Sequence, residues 1–136
     1  MELKIRDIYL IDDDSDDQEL FTTALSLVDS DVVCRTETNG LKALDQLTNQ
    51  QVFPDLIFVD LNMPLLNGFE FLEFMQRSYL HKPVPIIVYS TASDEFSRKR
   101  SKELGAYDFI TKPNTFQGVM DILQNVLRTV PIQKAS

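Results

Sequence analysis

Strand-like and helix-like segments alternate along the whole chain, and this alternation is the strongest constraint on its fold. Between the apolar runs, apolar residues recur at helical spacing, as in the first such segment with Leu20, Phe21, Ala24, Leu25 and Val28. Such alternation is typical of a parallel sheet that is covered by helices on both faces. It predicts an α/β domain of five strand and helix pairs. The predicted strands are residues 8–11, 32–36, 56–59, 86–89 and 107–110.

Polar residues stand where the predicted helices begin. Ser15 is a possible cap of the first helix, and Asp14 fits a capping role there better than a metal-binding one. Asn39, Asn67 and Thr115 precede the second, third and last helices. The acids after Ser15 suit the positive end of a helix, so a purely structural role explains them. They are Asp16, Asp17 and Glu19.

The fourth predicted helix, from about Ser93 to Leu104, has few apolar residues. Its obvious anchors are Ala92, Phe96 and Leu104, so we expect it to pack weakly and to be easily biased. Its basic residues fit a solvated helix face better than a docking patch. They are Arg98, Lys99, Arg100 and Lys102.

Charge and length exclude several classes of protein. The chain has 136 residues and a formal net charge of -8, and six of the eight residues from Asp12 to Glu19 are acidic. Such a surface would repel a phosphate backbone, so we expect no nucleic acid partner. No apolar run approaches the roughly twenty residues of a membrane span, and the N-terminus lacks the apolar region of a signal peptide. We therefore expect a soluble, cytoplasmic domain with no membrane partner.

Cysteine and histidine often take part in catalysis or binding, but we interpret Cys34 and His81 as residues without such a role. Cys34 follows Val32 and Val33 in a predicted strand, so we interpret it as a buried structural thiol rather than a reactive one. His81 lies in a loop before Pro83 and is interpreted as a surface residue, not a phosphorelay histidine.

Polar side chains follow four of the predicted strands. Asp12, Asp13 and Asp14 come after the first strand, and Asp60 ends the third. Ser90 and Thr91 follow the fourth strand, and Thr111, Lys112 and Pro113 follow the fifth. In an open parallel sheet, ligands bind beyond the carboxyl ends of the strands. We therefore expect one crevice that holds carboxylates, a hydroxyl and an ammonium group.

The expected carboxylates need a counter-charge. Two carboxylates about 4 Å apart repel by about 4 kcal/mol at an effective dielectric near 20, so a cluster of Asp12, Asp13 and Asp60 must protonate or recruit a cation. Oxygen ligands without His or Cys suit Mg²⁺, which often completes its shell with phosphate. A carboxylate can also act as the nucleophile toward a phosphoryl group, whose charge Lys112 would help to neutralise.

With these motifs in this order, the chain resembles the receiver domains of two-component response regulators over essentially its whole length. In that family an acidic pair follows the first strand and a phosphoacceptor Asp follows the third. A Ser or Thr follows the fourth strand, and a Lys-Pro pair follows the fifth, shortly after an aromatic switch residue. Each motif alone is a weak signal, whereas their conjunction in order is strong. The matching residues are Asp12 and Asp13, Asp60, Ser90, Lys112 with Pro113, and Phe109.

The resemblance implies a flavodoxin-like, doubly wound (βα)5 sandwich with a five-stranded parallel sheet. It implies a single receiver domain over residues 1–136, with a core of about 4–130 and no effector domain. Its partners would be a histidine kinase or a histidine phosphotransfer protein as phosphodonor, and an unidentified output protein. The domain would be a signalling phosphoacceptor, not an enzyme, and would catalyse only its own phosphorylation and dephosphorylation.

The resemblance also implies roles for the site residues. Asp60 would accept the phosphoryl group with Mg²⁺ as the cofactor. Asp13, Asp60 and the backbone carbonyl of Asn62 would ligate the metal ion, and Asp12 would act through a water molecule. Lys112 would hold the phosphoryl group.

The implied switch consists of Ser90 and Phe109, which would carry the phosphorylation signal to a protein-binding surface. Thr91 departs from the family pattern, because a small residue such as Ala is usual beside the active site. The extra bulk of Thr91 would restrict the access of water or a phosphodonor to the site. Ala92 offers no polar group to position an attacking water molecule, whereas Asn62 does.

Two other classes of function compete with the receiver. The segment from Asp12 to Asp14 also fits the Asp-x-Asp motif of haloacid dehalogenase-like phosphohydrolases, in which Asp12 would be the nucleophile with Mg²⁺. That alternative leaves the sequence Asn62-Met63-Pro64 unexplained. A flavodoxin-like mononucleotide binder would need its phosphate loop where this chain places its carboxylates, so electrostatic repulsion disfavours it.

Overall fold

The computed structural model describes residues 4–49, 53–78 and 84–132. Strands and helices alternate throughout, and their boundaries fall within a residue or two of those predicted. The central strands β1, β3 and β4 are apolar runs that polar residues follow or end, which explains this agreement. Ser90 and Thr111 are the exceptions of interest, since both belong to their strands rather than to the following loops. The elements are β1 Asp7–Ile11, α1 Ser15–Val28, β2 Val33–Glu37, α2 Gly40–Thr48, β3 Leu56–Val59, α3 Gly68–Arg77, β4 Ile86–Ser90, α4 Glu95–Glu103, β5 Asp108–Thr111 and α5 Phe116–Thr129.

The five strands form one parallel sheet in the order β2-β1-β3-β4-β5. This is the strand order of flavodoxin-like doubly wound folds, so the predicted fold class is confirmed. Helices α1 and α5 cover one face, around Phe21 and Leu123. Helices α2 and α3, with the end of α4, cover the other face, around Ala43, Phe71 and Leu104. Since all strands are parallel, their carboxyl ends meet at one edge of the sheet.

Helix α1 begins directly at this edge and is capped by Asp14. The Asp14 carboxylate accepts hydrogen bonds from the backbone N–H groups of Asp16 (2.9 Å) and Asp17 (3.2 Å). The possible cap at Ser15 is therefore wrong, because Ser15 is already the first helical residue. The interpretation of Asp14 as a cap is confirmed, and the structure shows that Asn39, Asn67 and Thr115 cap the helices that they precede.

Helix α4 packs through small residues rather than through its aromatic one. Phe96, which the sequence suggested as an anchor, is 69% exposed and makes a T-shaped contact with the Phe69 ring, with ring centroids 6.4 Å apart. Ser97 and Ser101 face the interior instead, and Leu104 is buried at the end of the helix. The prediction that Phe96 anchors α4 is thus wrong, because the small hydroxyl side chains of Ser97 and Ser101 occupy the buried face of the helix.

Cys34 on the edge strand β2 is half-buried, and burial raises the pKa of its thiol to about 12, which suits an unreactive side chain. His81, interpreted as a surface residue, lies outside the described residues. Among the residues that the structure describes, no helix is long and apolar enough to cross a membrane.

Candidate functional site

An open cleft lies at the carboxyl edge of the sheet. Backbone hydrogen bonds between neighbouring strand ends fix its floor, from Asp12 N to Glu37 O (2.9 Å) and from Asp60 N to Ile11 O (3.0 Å). Its walls come from the loops that follow the strands and from the first turn of α1. The residues that line it are Asp13, Asp14, Ser15, Asp17, Asp60, Asn62, Thr91 and Lys112.

Three carboxylates converge here. One oxygen from each of Asp12, Asp13 and Asp60 lies within 4.8 Å of the other two. Asp12 and Asp60 are buried, whereas Asp13 is exposed to the cleft. Such close negative charges favour a cation among them. The structure thus brings together the three acids that the sequence singled out.

Lys112 reaches the same point from the end of β5. Its Nζ lies 2.8 Å from Asp12 Oδ2, 2.8 Å from Asp17 Oδ2 and 3.2 Å from Asp60 Oδ2. The side chain is only 8% exposed. Burial lowers the pKa of Lys112, but the hydrogen bonds to Asp12 and Asp17 and the nearby charges outweigh it, so that the pKa is raised overall. The ammonium group therefore stays protonated.

Asp12 is the most deeply placed acid of the cluster, at 1% exposure. The pKa of its carboxyl group is raised to about 6 overall, and burial is the largest cause. The charge of Asp60 also raises the pKa, whereas Lys112 and a hydrogen bond from the backbone N–H of Asp14 lower it. The charged form of Asp12 is therefore disfavoured in this buried position, even with the Lys112 ammonium beside it.

The loop after β3 is packed tightly against Asp60. A Cβ atom on Gly68 would lie 2.6 Å from the Asp60 carbonyl oxygen and 2.8 Å from Leu61 Cα, so only glycine fits there. Leu65 in the same loop has a left-handed backbone, with φ of 70°. The backbone N–H of Asn62 points at Asp60 Oδ1 over 3.4 Å. This close packing fixes Asp60 at the rim of the cleft.

Ser90 and Thr91 occupy different environments at the end of β4. Ser90 is fully buried, and its hydroxyl oxygen accepts a hydrogen bond from the backbone N–H of Ala92 at 3.3 Å. Thr91 is exposed and lines the cleft. The backbone carbonyl of Ser90 accepts from Lys112 N at 2.8 Å, which ties the fourth strand to the lysine.

Phe109 lies on β5 and is half-buried beside α4. The guanidinium of Arg98 lies over its ring, 4.8 Å from the centroid. Arg98 also donates a hydrogen bond from Nη2 to Thr111 Oγ1 at 2.8 Å. Helix α4 is thus linked to β5 by one arginine.

The contacts of Asp17 and Arg98 were not predicted from the sequence. Asp17 was explained by the helix dipole alone, and Arg98 was placed on a solvated face. A signal for Asp17 existed, because helix side chains tilt toward the N-terminus and α1 begins at the rim of the expected crevice. Arg98 offered no comparable signal, since its partners depend on how α4 packs against β5.

This combination of a flavodoxin-like fold with clustered acids and a buried lysine at the strand ends is typical of a phosphate-handling signalling domain. Residues 8–124 match the family model of the response regulator receiver domain, and the chain belongs to that family. The predicted receiver function of two-component signalling is therefore confirmed. The similarities give no support to a haloacid dehalogenase-like phosphohydrolase.

Curated relatives contain the same type of segment within longer proteins. The chain is 30% identical over 125 residues to the protein-glutamate methylesterase/protein-glutamine glutaminase 1 of Myxococcus xanthus, covering 90% of this chain and 35% of that protein. The first such relatives are matched over 15% to 50% of their own length. The activities of these longer proteins therefore cannot be assigned to this chain from the match.

Solved structures resemble the chain over nearly its whole length. The phosphorylated cyanobacterial phytochrome response regulator RcpA superposes with a TM-score of 0.84 at 25% identity, covering 95% of this chain and 98% of that chain. The Mn²⁺-bound response regulator Rcp1 superposes with a TM-score of 0.80 at 25% identity, covering 93% and 98%. The fold of the present chain is thus that of stand-alone receiver structures.

Proposed function

We propose that Asp60 is the phosphoacceptor and that a histidine kinase or a histidine phosphotransfer protein is its donor. The observation that carries this proposal is the position of the Asp60 carboxylate. It lies 3.2 Å from the Lys112 ammonium and within 4.8 Å of oxygens of Asp12 and Asp13. One carboxylate therefore adjoins both a fixed positive charge and a cluster suited to a cation.

The donor set fits a hard divalent cation, and Mg²⁺ is the proposed cofactor. Asp13, Asp60 and the backbone carbonyl of Asn62 are its proposed ligands, with Asp12 acting through a water molecule. When bound, such an ion neutralises charge on the transferred phosphoryl oxygens. The Mn²⁺ in the Rcp1 structure supports a divalent cation in a domain of this fold.

In the proposed transfer, an oxygen of Asp60 attacks the phosphorus of a phosphohistidine. The new O–P bond forms as the P–N bond breaks, and the imidazole leaves with the electron pair of that bond. Lys112 donates an N–H to a phosphoryl oxygen from its position beside Asp60. The domain catalyses only its own phosphorylation and the hydrolysis of the product, so it acts as a signalling module.

Ser90 and Phe109 form the proposed switch. A phosphoryl group on Asp60 adds strong acceptor oxygens near the end of β4. The buried Ser90 hydroxyl turns to donate to one of them, and the Phe109 ring moves into the space that is vacated. The surface formed by α4 and β5 then changes, and an output protein reads that change.

Labelling with acetyl phosphate in the presence of Mg²⁺, followed by mass spectrometry, tests the phosphoacceptor. Asp60→Asn should abolish labelling, because the asparagine amide lacks the carboxylate that is proposed to attack the phosphorus. Asp13→Asn should weaken Mg²⁺ binding and slow labelling. Asp12→Asn should impair labelling without abolishing it. The matched control is Asp16→Asn, an exposed acid outside the cleft, which should label like the wild type. Label that persists in Asp60→Asn and disappears in Asp12→Asn would contradict the proposal.

A further inference from the structure

Asp17 lines the cleft, but it is neither a proposed metal ligand nor the proposed phosphoacceptor. Its Oδ2 accepts a hydrogen bond from Lys112 Nζ at 2.8 Å, between residues 95 positions apart in the sequence. The contact is as short as that between Lys112 and Asp12. The Asp17 side chain is 35% exposed, so it is held toward the lysine although solvent is available to it.

We propose that Asp17 is a positioning residue that fixes the Lys112 ammonium group beside Asp60 for phosphoryl transfer. The inference rests on the proposed function of Asp60. Asp17 itself touches no reacting atom and acts through the lysine.

The number of N–H groups on the lysine explains why a third acid matters. An ammonium group has three N–H donors, and among the described residues Asp12, Asp17 and Asp60 are the carboxylates that contact it. Asp12 and Asp60 also belong to the cluster suited to a cation, whereas Asp17 does not. With a metal ion bound, Asp17 is therefore the partner that holds Lys112 without competing for the metal. The N–H of the lysine that is donated to Asp60 then becomes available for a phosphoryl oxygen.

Local structure keeps Asp17 in reach. The Asp14 cap accepts the backbone N–H of Asp17, and Gln18 Nε2 donates to the backbone carbonyl of Asp12 at 2.6 Å. These two bonds fix the first turn of α1 against the end of β1. From the other side the Tyr89 ring faces the ammonium group, with 5.8 Å between its centroid and Lys112 Nζ. Lys112 is therefore confined between α1 and β4.

Affinity for beryllofluoride in the presence of Mg²⁺ is the main test. Asp17→Ala is compared with Asp16→Ala, which removes the same charge from the same turn at an exposed position outside the cleft. Relative to this control, we expect affinity to fall roughly three- to tenfold, which is the range for one partly exposed charged hydrogen bond. Asp17→Asn should recover part of the loss, since its amide oxygen still accepts. Mg²⁺ affinity without beryllofluoride should not weaken in any of these variants.

Two further measurements separate positioning from a merely structural effect. In a Lys112→Ala background, Asp17→Ala should cause no additional loss of beryllofluoride affinity, because the residue acts through the lysine. In the unphosphorylated protein, the NMR signal of the Lys112 ammonium should broaden in Asp17→Ala and persist in Asp16→Ala. Equal beryllofluoride affinity in the two alanine variants would overturn the inference. A wild type that fails to label at Asp60 would refute the proposed function, while the ammonium signal would still decide whether Asp17 holds Lys112.

Discussion

Helices α1 and α4 both follow strands that end at the cleft, yet they are attached to the domain in opposite ways. Helix α1 buries Phe21, Ala24 and Leu25 in the core and places its first turn against the cleft. Helix α4 buries Ser97 and Ser101 along its length and leaves Phe96 in solvent. One helix is fixed by apolar packing, whereas the other is held by small and polar contacts.

This difference separates the part of the domain that holds the site from the part that can respond to it. Segments with few buried apolar contacts open at a lower free energy than those packed into the core. A few kcal/mol of differential interaction suffices to shift a two-state population. The weak packing of α4 beside Phe109 is therefore compatible with a signalling surface, whereas α1 keeps Lys112 in a constant position.

The largest expected effect is a loss of stability when the Phe21 ring is removed from α1, in contrast to removal of the Phe96 ring from α4. Phe21 is 1% exposed and makes edge contacts with Phe58 and Tyr89, at centroid distances of 4.9 and 5.6 Å. Phe21→Ala should lower the free energy of unfolding by about 3–5 kcal/mol, because it leaves a cavity in the core. Phe96→Ala should change it by about 0.5 kcal/mol or less, since the ring is mostly in solvent. Urea denaturation of the two variants measures both values, and similar losses would contradict the contrast between the helices.

The same two rings show what a sequence can reveal about packing. The periodicity of α1 included its buried residues Phe21, Ala24 and Leu25, although it also included Leu20, which is 38% exposed. In α4, Ser97 and Ser101 give no hydropathy signal, although their small size is what lets the helix approach the sheet. Phe96 was taken as an anchor, together with Ala92 and Leu104, because these are the obvious apolar residues in a largely polar segment. Only the tertiary packing shows which face is buried.

The site was predictable to the extent that it is made of strand ends. Asp12, Asp60 and Lys112 each follow an apolar run, and parallel strands bring such residues to one edge. Asp17 escaped the same reasoning because it lies on a helix, where the helix dipole already explains an acid in the first turn. The tilt of helix side chains toward the N-terminus was a signal for Asp17, but its contact with Lys112 depends on how α1 packs within the domain.

A smaller effect is expected from releasing α4 from β5. Arg98→Ala removes both the contact with the Phe109 ring and the hydrogen bond to Thr111. Because Arg98 is exposed, the free energy of unfolding should fall by only about 1 kcal/mol or less. Hydrogen exchange should nevertheless accelerate in residues 95–103 and remain unchanged in α1. Lys99→Ala, which removes an exposed neighbouring cation, is the control, and equal exchange in both variants would show that Arg98 does not hold the helix.

The smallest effect concerns the N-terminus of α4 at low pH. Asp94 accepts hydrogen bonds from the backbone N–H and the hydroxyl of Ser97, and these bonds lower the pKa of its carboxyl group below the ordinary 3.8. A carboxyl group with a lowered pKa in the folded state stabilises the fold above its ordinary pKa, and this stabilisation is lost as the pH falls through the folded-state value. The Ser97 amide should therefore lose protection from hydrogen exchange below about pH 3.8, relative to the same amide in Asp94→Asn. The asparagine side chain caps the helix without titrating, so other groups that protonate in this range affect both proteins alike. An identical pH response in the two proteins would show that protonation of Asp94 does not loosen the start of α4.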